Sequence, residues 1–559
     1  MTQSQSERSV WPIAAAIGVI AIILAAGIAW SFHHPFPVHW DEAIDINEAQ
    51  LDTQRLQHGM LLSLGNRLFI KCWGRPPAYR LIALPFLGLT GFHTTTARFI
   101  SLACFAFSSL FVYLATRRFT RRAASAFATL IFSLSPIVIS ASIWFSTEGP
   151  LYLATSAMFY YLFKIWTEKP EQRSSWIGLG LAMGIGLLSK ASFLAIVLPL
   201  MTFSLIAGLR RQFGIPNLAS QRNAGLLAFV IAMPWWLLNI KPAIAVAEQA
   251  RGFTPNSLGP PSIATWAQWL NTVCQSLLGY GLSILICLVV VTWIYRAVVK
   301  KDIVLDPLER TALWACACAG GPIVAVQLTG TNHLLRHISP AVIPLAIAVG
   351  VLAGNMGWDR SRPFIALSAI LFCFQLQTIV APVLFPNNHP LESGFANAWL
   401  PGRVMARREQ WNWEPVLRIS HDCGDDAPSI GYVGMGAMFN PPQIERPWVA
   451  AAASTGTAAF PHPDVRLLWR YEQGPLDWQK VMGGAELSDI VLTAPHYVGD
   501  VTESINNRYN AEFAQRLSSD PLFRSPITLE MGSFEPVEVL VFVKKSLPCQ
   551  LLERIAAKP

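Results

Sequence analysis

The sequence predicts an α-helical polytopic membrane protein that ends in an extra-membrane α+β domain. Three observations support this fold class: a low charged content, apolar blocks of membrane-spanning length, and a change of composition near residue 386. The chain of 559 residues is 53% hydrophobic and only 14% charged. Globular chains carry about 25% charged residues. With a mean hydropathy of +0.40, the chain has too little polar surface for a soluble protein.

The apolar residues are grouped in blocks whose length predicts membrane spans. A helix needs about 20 apolar residues to cross the hydrocarbon of a bilayer. We predict about eleven spans, of which the first, at residues 11–30, is an uncleaved signal anchor; small residues near Ala26 leave a cleaved signal peptide as the alternative. The others are predicted at residues 97–116, 123–144, 150–166, 175–189, 191–209, 224–240, 271–295, 311–328, 338–354 and 363–385.

The basic residues lie in short clusters between these blocks, so the net charge of +8 indicates topology and no nucleic-acid partner. By the positive-inside rule these clusters share the cytoplasmic side with the N-terminus. With an odd number of spans, the residues after about 386 are external. No N-x-Ser/Thr acceptor occurs after residue 386, which fits a bacterial envelope, so we expect a bacterial plasma (inner) membrane protein with a periplasmic C-terminal domain. The clusters are Arg117, Arg118, Arg121 and Arg122, then Arg210 and Arg211, Lys300 and Lys301, and Arg360 with Arg362.

The predicted domains are a transmembrane domain at 1–385, which includes an external loop at 31–96, and the C-terminal domain at 386–559. In the C-terminal domain, Pro, Gly and acidic residues separate short β-like runs, and a helix is predicted at 501–517. Cys423 and Cys549 face an oxidising compartment, which leaves a disulfide between them open. The β-like runs are Ser429–Val433, Val465–Tyr471, Asp489–Thr493 and Val537–Val543.

The external loop carries an acidic pair, Asp41-Glu42, shortly after the first span. Carboxylates near a bilayer are held there at a cost unless they are exposed or paired, which favours a functional interpretation. The structural alternative is the first turn of a helix, where acidic residues face the positive end of the helix dipole. Taken alone, the pair supports capping and catalysis about equally.

Further charged residues are predicted on the same external face: Arg75 in Gly74-Arg75-Pro76-Pro77, then Glu148, Lys190 and Arg336. Cations can hold a phosphate through charge-assisted hydrogen bonds. A carboxylate can act as general base on an acceptor hydroxyl. Three of these residues also have a structural interpretation, since Arg75 and Lys190 can reach lipid headgroups and Glu148 can cap a helix.

These motifs resemble those of the GT-C membrane glycosyltransferases, of the protein O-mannosyltransferase and lipid A aminoarabinose transferase type. The resemblance covers roughly residues 10 to 350 and depends on the order and placement of its motifs. Two residues depart from the family pattern: His337 stands where a tyrosine is usual, and Glu148 where an aspartate is more frequent. The matching elements are Asp41-Glu42, Arg75-Pro76-Pro77, Arg98, Glu148, Ser189-Lys190 and Arg336-His337-Ile338-Ser339-Pro340.

The resemblance implies a GT-C fold and an inverting transfer from a polyprenyl-phosphate-linked sugar donor to an envelope acceptor, which is a protein, lipid or glycan. Asp41 is the expected general base and Glu42 its helper. Arg75, Lys190 and Arg336 are expected to bind the donor phosphate, as preorganised electrostatic catalysis requires. Glu148, Tyr79 and His337 are expected to bind the sugar or the acceptor.

No obligatory metal is expected, because cationic side chains can neutralise the single phosphate; a divalent cation at the acidic pair stays the alternative. Two other functions compete with glycosyl transfer. A transporter usually shows internal repeats and broken helices at mid-membrane, and no repeat is visible here. A non-catalytic envelope assembly protein has no need of an acidic first loop near cations.

Overall fold

The computed structural model describes most of the chain, and its contacts divide the chain into two compact units. Unit 1 comprises Met1–His33, Gly65–Ala83 and Thr95–Arg407, and unit 2 comprises His34–Leu64, Leu84–Thr94 and Arg408–Pro559. Two stretches of the predicted external loop therefore pack with the C-terminal residues. The described residues are 10–70, 72, 74–168, 173–209, 218–251, 259, 262–330, 332–358, 361–384, 405, 409–424, 426–436, 438–455, 462–470, 474–499, 504–533 and 536–549.

Helices dominate the first 384 residues, as the apolar blocks predict. Of these helices, α2 belongs to unit 2, and α3 and α4 are shared between the units. The helices are α1 (Trp11–His33), α2 (Trp40–Gln57), α3 (Leu61–Phe69), α4 (Ala78–Thr90), α5 (Thr94–Thr116), α6 (Arg122–Ser133), α7 (Pro136–Ile143), α8 (Glu148–Thr167), α9 (Arg173–Leu187), α10 (Leu194–Leu209), α11 (Leu218–Arg251), α12 (Ile263–Thr272), α13 (Tyr280–Ile294), α14 (Pro307–Thr329), α15 (Val342–Asn355) and α16 (Arg362–Leu384).

The polytopic membrane character is confirmed. Among the described residues, seven helical segments are long and apolar enough to cross a membrane, or eight if the bent pair α6 and α7 forms one span. Helices α4, α9 and α15 are apolar but shorter, so the number of eleven spans stays a prediction. Arg210, Arg211 and Arg360, on which the predicted topology partly depends, lie outside the described residues.

Helix α11 shows how a span divides between protein and lipid. Its side chains Phe229, Val230 and Leu237 are more than half exposed, whereas Trp235 is fully buried. The buried side of α11 packs against α9. Exposed apolar side chains of this size are stable in hydrocarbon and unfavourable in water, which indicates a lipid-facing surface.

A bend of 61° separates α6 from α7 and is held by one side chain from elsewhere in unit 1. Pro136 opens α7 and lacks the N–H that would continue the hydrogen-bond ladder. The buried Gln375 Nε2 donates to the Leu134 and Leu278 carbonyl oxygens, each at 3.2 Å. The bend is therefore a fixed feature, since its freed carbonyl has a partner.

Unit 2 contains a five-stranded mixed sheet of order β2-β1-β3-β5-β4. Strands β2, β1 and β3 are parallel, and β5 pairs antiparallel with both β3 and β4. The predicted β-like runs all form strands, while β4 was not predicted. The strands are β1 (Ser429–Tyr432), β2 (Asp464–Leu467), β3 (Ile490–Thr493), β4 (Ile527–Met531) and β5 (Val537–Val543).

Helices cover both faces of the sheet, so every residue of β3 is buried. Ile490 and Leu492 belong to the hydrophobic core on one face, which includes residues of α17 (Glu414–Asp422) and α18 (Pro441–Thr455). Val491 belongs to the core on the other face, which includes residues of α19 (Trp478–Glu486) and α21 (Asn510–Ser519). The predicted helix at 501–517 is two helices, α20 and α21; Val501 itself, like Tyr471, lies outside the described residues. The helices are α17 (Glu414–Asp422), α18 (Pro441–Thr455), α19 (Trp478–Glu486), α20 (Ser504–Asn507) and α21 (Asn510–Ser519).

A buried disulfide joins Cys423, at the end of α17, to Cys549, beyond β5. The two residues are 126 positions apart in the chain. A cross-link over so long a loop strongly restricts the unfolded chain. The disulfide left open by the sequence is thus present, and it closes the domain around its sheet.

Candidate active site

The acidic pair lies in the first turn of α2, which begins at Trp40. His39 caps this helix, since its Nδ1 accepts the Asp41 N–H at 3.2 Å. The Asp41 side chain is 25% exposed. Glu42 is fully buried, and its Oε2 accepts the Val38 N–H at 2.8 Å. Glu42 therefore fixes the chain entering the helix, while the carboxylate of Asp41 keeps access to solvent.

The Arg75 segment has its conformation set by a close approach to α11. Gly74 has a φ of 70°, and a Cβ added there would lie 2.7 Å from the backbone carbon of Pro242. The Arg75 N–H donates to the Cys72 carbonyl oxygen at 2.8 Å. Only glycine fits at position 74 without strain, because it tolerates positive φ and has no Cβ.

Cys72 links this segment to two residues of α11. Its Sγ donates to Asn239 Oδ1 at 3.2 Å and accepts the Trp235 indole N–H at 3.3 Å. Asn239 Nδ2 in turn donates to the Phe69 carbonyl oxygen at 2.6 Å. The turn that carries Arg75 is thus attached at several points to a membrane-spanning helix.

Glu148 and Lys190 form an ion pair within unit 1. Lys190 Nζ lies 2.6 Å from Glu148 Oε1, with the carboxylate side chain 4% exposed and the lysine 21% exposed. Glu148 is the first residue of α8, where the helix dipole stabilises a negative charge. The predicted helix-start position of Glu148 and its function as an ion-pair partner are therefore compatible.

The Lys190 loop and the Arg75 segment are neighbours. The Ala78 N–H donates to the Leu188 carbonyl oxygen at 2.8 Å, two residues before Lys190. The Trp236 indole N–H donates to the Leu187 carbonyl oxygen at 3.1 Å. The two loops that carry predicted phosphate-binding cations thus share α11 as a common support.

The Arg336 segment is attached to α8 one turn beyond Glu148. The Tyr152 hydroxyl donates to Ser339 Oγ at 2.6 Å, and Ser339 Oγ donates to the Arg336 carbonyl oxygen at 2.7 Å. His337 Nε2 lies 3.5 Å from Asn332 Nδ2. Arg336 and His337 are both partly buried.

Tyr79 is almost fully buried, and its ring packs edge-to-face against Phe145 with 5.7 Å between ring centroids. Its aromatic ring therefore contributes to the packing of unit 1. Arg98 is also fully buried, with its guanidinium 5.0 Å from the Trp30 ring centroid. Burial of an arginine is favourable only with such partners, so this contact joins α1 to α5.

Unit 1 brings together the segments of Arg75, Glu148, Lys190 and Arg336, whereas Asp41 and Glu42 belong to unit 2. Sequence reasoning did not identify Tyr152 and Ser339 as links. Tyr152 follows Glu148 by four residues and so lies on the same face of the helix. This spacing could have identified Tyr152 as a site residue from the sequence. Across the described ranges, no group of three or more His, Cys, Asp or Glu side chains could hold a metal ion.

A comparison with family models matches residues 74–238 to the family described as dolichyl-phosphate-mannose-protein mannosyltransferase. The matched segment begins at Gly74 and contains Arg75, Tyr79, Glu148 and Lys190. A search of curated protein sequences gives no significant match. The family match therefore covers the loops that α11 supports and excludes the acidic pair.

Among solved structures, the chain is similar to ArnT from Cupriavidus metallidurans bound to undecaprenyl phosphate, with 14% identity and a TM-score of 0.53. This match covers 95% of the chain and 98% of ArnT. The Archaeoglobus fulgidus oligosaccharyltransferase tethered with an acceptor peptide gives 10% identity and a TM-score of 0.50, covering 97% and 75%. The chain therefore shares the fold of these solved structures, and its residues 74–238 match a mannosyltransferase family model.

Proposed function

We propose that the protein is an inverting glycosyltransferase. It transfers a sugar from a polyprenyl-phosphate-linked donor to a hydroxyl group of an envelope acceptor, at the external face of a bacterial inner membrane. The observation that carries this proposal is the joint anchoring of the Arg75 and Lys190 loops on α11, inside the segment that matches the mannosyltransferase family. ArnT, which shares the fold, binds undecaprenyl phosphate.

The phosphate of such a donor needs cations that are held in place before the donor arrives. Lys190 meets this requirement, because the buried carboxylate of Glu148 fixes its ammonium group at 2.6 Å. Arg75 lies on a turn that Cys72 and Gly74 hold. We assign the donor phosphate to Arg75, Lys190 and Arg336, since preorganised charges stabilise a leaving group without reorganising during the reaction.

In the proposed reaction, the acceptor hydroxyl oxygen attacks the anomeric carbon as the bond from that carbon to the phosphate oxygen breaks. The hydroxyl proton passes to the carboxylate of Asp41, and the polyprenyl phosphate leaves with the bonding electron pair. Attack opposite the leaving group inverts the anomeric centre. The solvent access of Asp41 and the structural hydrogen bond of Glu42 support this division of roles. Tyr79, Glu148 and His337 are proposed to line the sugar and acceptor positions.

Substitution of the base tests this proposal. Asp41→Asn keeps the shape of the side chain and removes its basicity, so we expect transfer to fall about 10²- to 10⁴-fold. The assay measures sugar transfer from radiolabelled undecaprenyl phosphate-linked sugars to envelope fractions by the membrane-inserted protein. Asp302→Asn, at an exposed carboxylate paired with Arg296, is the matched control. Near wild-type transfer by Asp41→Asn would refute the assignment of the base.

We further propose that the reaction has no obligatory metal, because cationic side chains neutralise the single phosphate of the donor. Removal of divalent cations with EDTA is therefore expected to leave the transfer rate within about twofold of its original value. The measurement is the initial rate before and after chelation, with Mg²⁺ and Mn²⁺ added back separately. A rate that is lost with EDTA and restored by one ion would instead establish a metal at the site.

A further inference from the structure

Helix α18 of the C-terminal domain is fixed to the sheet by one face. Its Ile444 and Trp448 are fully buried in the core that also contains Ile430 and Tyr432 of β1. These two residues are four apart and therefore lie on the same side of the helix. Gln443 and Arg446 occupy other positions around the helix, and both contact the region of α2.

Polar hydrogen bonds join α18 to the middle of α2. Asn47 Nδ2 donates to the Pro442 carbonyl oxygen at 2.8 Å. Arg446 Nη1 donates to Asn47 Oδ1 at 3.4 Å and also hydrogen-bonds Gln50 Oε1. Asn47 and Gln50 are buried, so these hydrogen bonds replace the hydrogen bonds to water that their side chains lose on burial.

A second contact reaches the chain just before α2. The buried Gln443 Nε2 donates to the Pro37 carbonyl oxygen at 3.1 Å. The next residue, Val38, donates its N–H to Glu42. Pro37 and Val38 precede the helix cap, His39. A hydrogen bond from Gln443 of the C-terminal domain therefore holds Pro37, and a hydrogen bond to Glu42 of the first helical turn holds Val38.

Cations of unit 2 add to this attachment. The Arg446 guanidinium lies 5.5 Å from the Phe92 ring centroid, and the Arg470 guanidinium lies 5.8 Å from the Trp40 ring centroid. Trp40 is the residue before Asp41. Because hydrogen bonds are directional, these contacts fix the position of α18 along α2. Any shift of one helix along the other would leave buried donors and acceptors unpaired.

We propose that α18 positions the catalytic turn of α2, with Gln443 and Arg446 as positioning residues for Asp41. This inference depends on the proposed function, since it assumes that Asp41 acts as the base. The C-terminal domain is then an integral part of the catalytic apparatus. Its contribution is to hold the turn that carries the base, rather than to touch the donor.

Two readouts on the full-length, membrane-inserted protein test the proposal. Gln443→Met keeps the side-chain volume and removes the donor to Pro37. We expect faster amide hydrogen exchange at residues 38–45, and a kcat about 10- to 100-fold lower with the donor KM changed less than twofold. Arg446→Ala is expected to act in the same direction, and Arg446→Lys, which keeps a donor and the charge, to recover part of kcat. The donor probe is the undecaprenyl phosphate-linked sugar that the wild-type protein uses.

Thr493→Val is the matched structural control, since it removes the buried hydrogen bond from Thr493 Oγ1 to the Asn510 carbonyl oxygen, at a site on β3. It is expected to lower the melting temperature while leaving kcat and exchange at residues 38–45 unchanged. The proposal is overturned if Gln443→Met leaves this exchange unchanged, or if exchange rises while kcat stays at the wild-type value. A wild-type protein that transfers no sugar refutes the proposed function instead, and the exchange measurement still decides whether α18 holds α2.

Discussion

Two neighbouring carboxylates, Asp41 and Glu42, have different environments although their sequence context is nearly the same. Glu42 is buried and bonded to the Val38 N–H, whereas the Asp41 side chain is 25% exposed. The sequence predicted that the pair acts together and left capping and catalysis as alternatives. In the structure His39 caps the helix and Glu42 holds the Val38 N–H before it, whereas the carboxylate of Asp41 keeps the solvent access that the proposed base needs.

Another residue-scale property is the dependence of Lys190 on Glu148. Lys190→Ala would leave the Glu148 carboxylate buried without its ammonium partner, which destabilises a protein by about 3 to 5 kcal/mol. In the double variant Glu148→Gln/Lys190→Met neither member of the pair is charged, so we expect the melting temperature to recover. The donor KM should stay high in both variants, because the phosphate has lost a cation. A double variant that regains both stability and donor affinity would show that Lys190 is purely structural.

The Glu445 carboxyl predicts a pH dependence of unit 2. Burial raises its pKa from 4.5 to about 8, with further contributions from the Glu48 and Asp464 carboxylates. The folded state therefore holds a proton that the unfolded state loses near pH 4.5. This contribution is complete below that pH and disappears as the pH rises towards 8. We expect hydrogen-exchange protection of β1 to decrease over this range.

Glu445→Gln removes the titrating proton, so its protection should vary less with pH between 5 and 8. Glu486→Gln, at an exposed carboxylate on α19, is the control and should keep the wild-type pH profile. Equal profiles for all three proteins would contradict the assignment to Glu445. Charged groups on the elements around Glu445 include Glu48 on α2, Asp464 on β2, and Arg446, which is bonded to Gln50.

At the scale of elements, the turn before α4 depends on its close approach to α11. Gly59 and Gly74 have nearly equal φ values, 69° and 70°, but only at Gly74 would a Cβ meet other atoms, at 2.7 Å. Gly59→Ala should therefore show the conformational strain alone, about 1 to 2 kcal/mol. Gly74→Ala should lose more stability and also raise the donor KM, because the Arg75 turn moves. Melting temperatures and donor titrations measure the two effects, and equal behaviour of the variants would contradict this explanation.

The sequence predicted elements well where their pattern reflects burial. Strand β3, Ile490–Thr493, is a short apolar run and is buried throughout. Strand β4 was missed because it lies at the sheet edge, where Thr528 and Glu530 are exposed and the apolar signal is diluted. Residues 123–144 were predicted as one span, which the bent pair α6 and α7 can still form. The bend itself was not predicted, because both halves are apolar and Gln375, which holds the bend, lies far along the chain.

Over the whole molecule, the residue types of the candidate site could be predicted from the sequence. The contacts that these residues make with one another could be predicted less well. The predicted topology puts Glu148 and Lys190 on one face, but it does not predict their ion pair, which joins residues 42 positions apart. The hydrogen bonds of Cys72 with Trp235 and Asn239 also join residues far apart in the chain, and no periodic pattern in the sequence predicts them. Local patterns predict which side chains are polar at a membrane surface; the fold decides which of them meet.

The attachment of α2 to α18 has a consequence for biosynthesis. The hydrogen bond from Gln443 to Pro37 joins residues separated by 406 positions. At translation rates of about 5 to 20 residues per second, the acidic turn leaves the ribosome ~20 to 80 s before its partner. In a nascent chain, the turn that contains Asp41 and Glu42 would thus be synthesised long before α18, with which it later packs. On the proposed role of α18, transfer would begin only after α18 has been synthesised, so chains terminated before α18 would insert into the membrane without becoming competent.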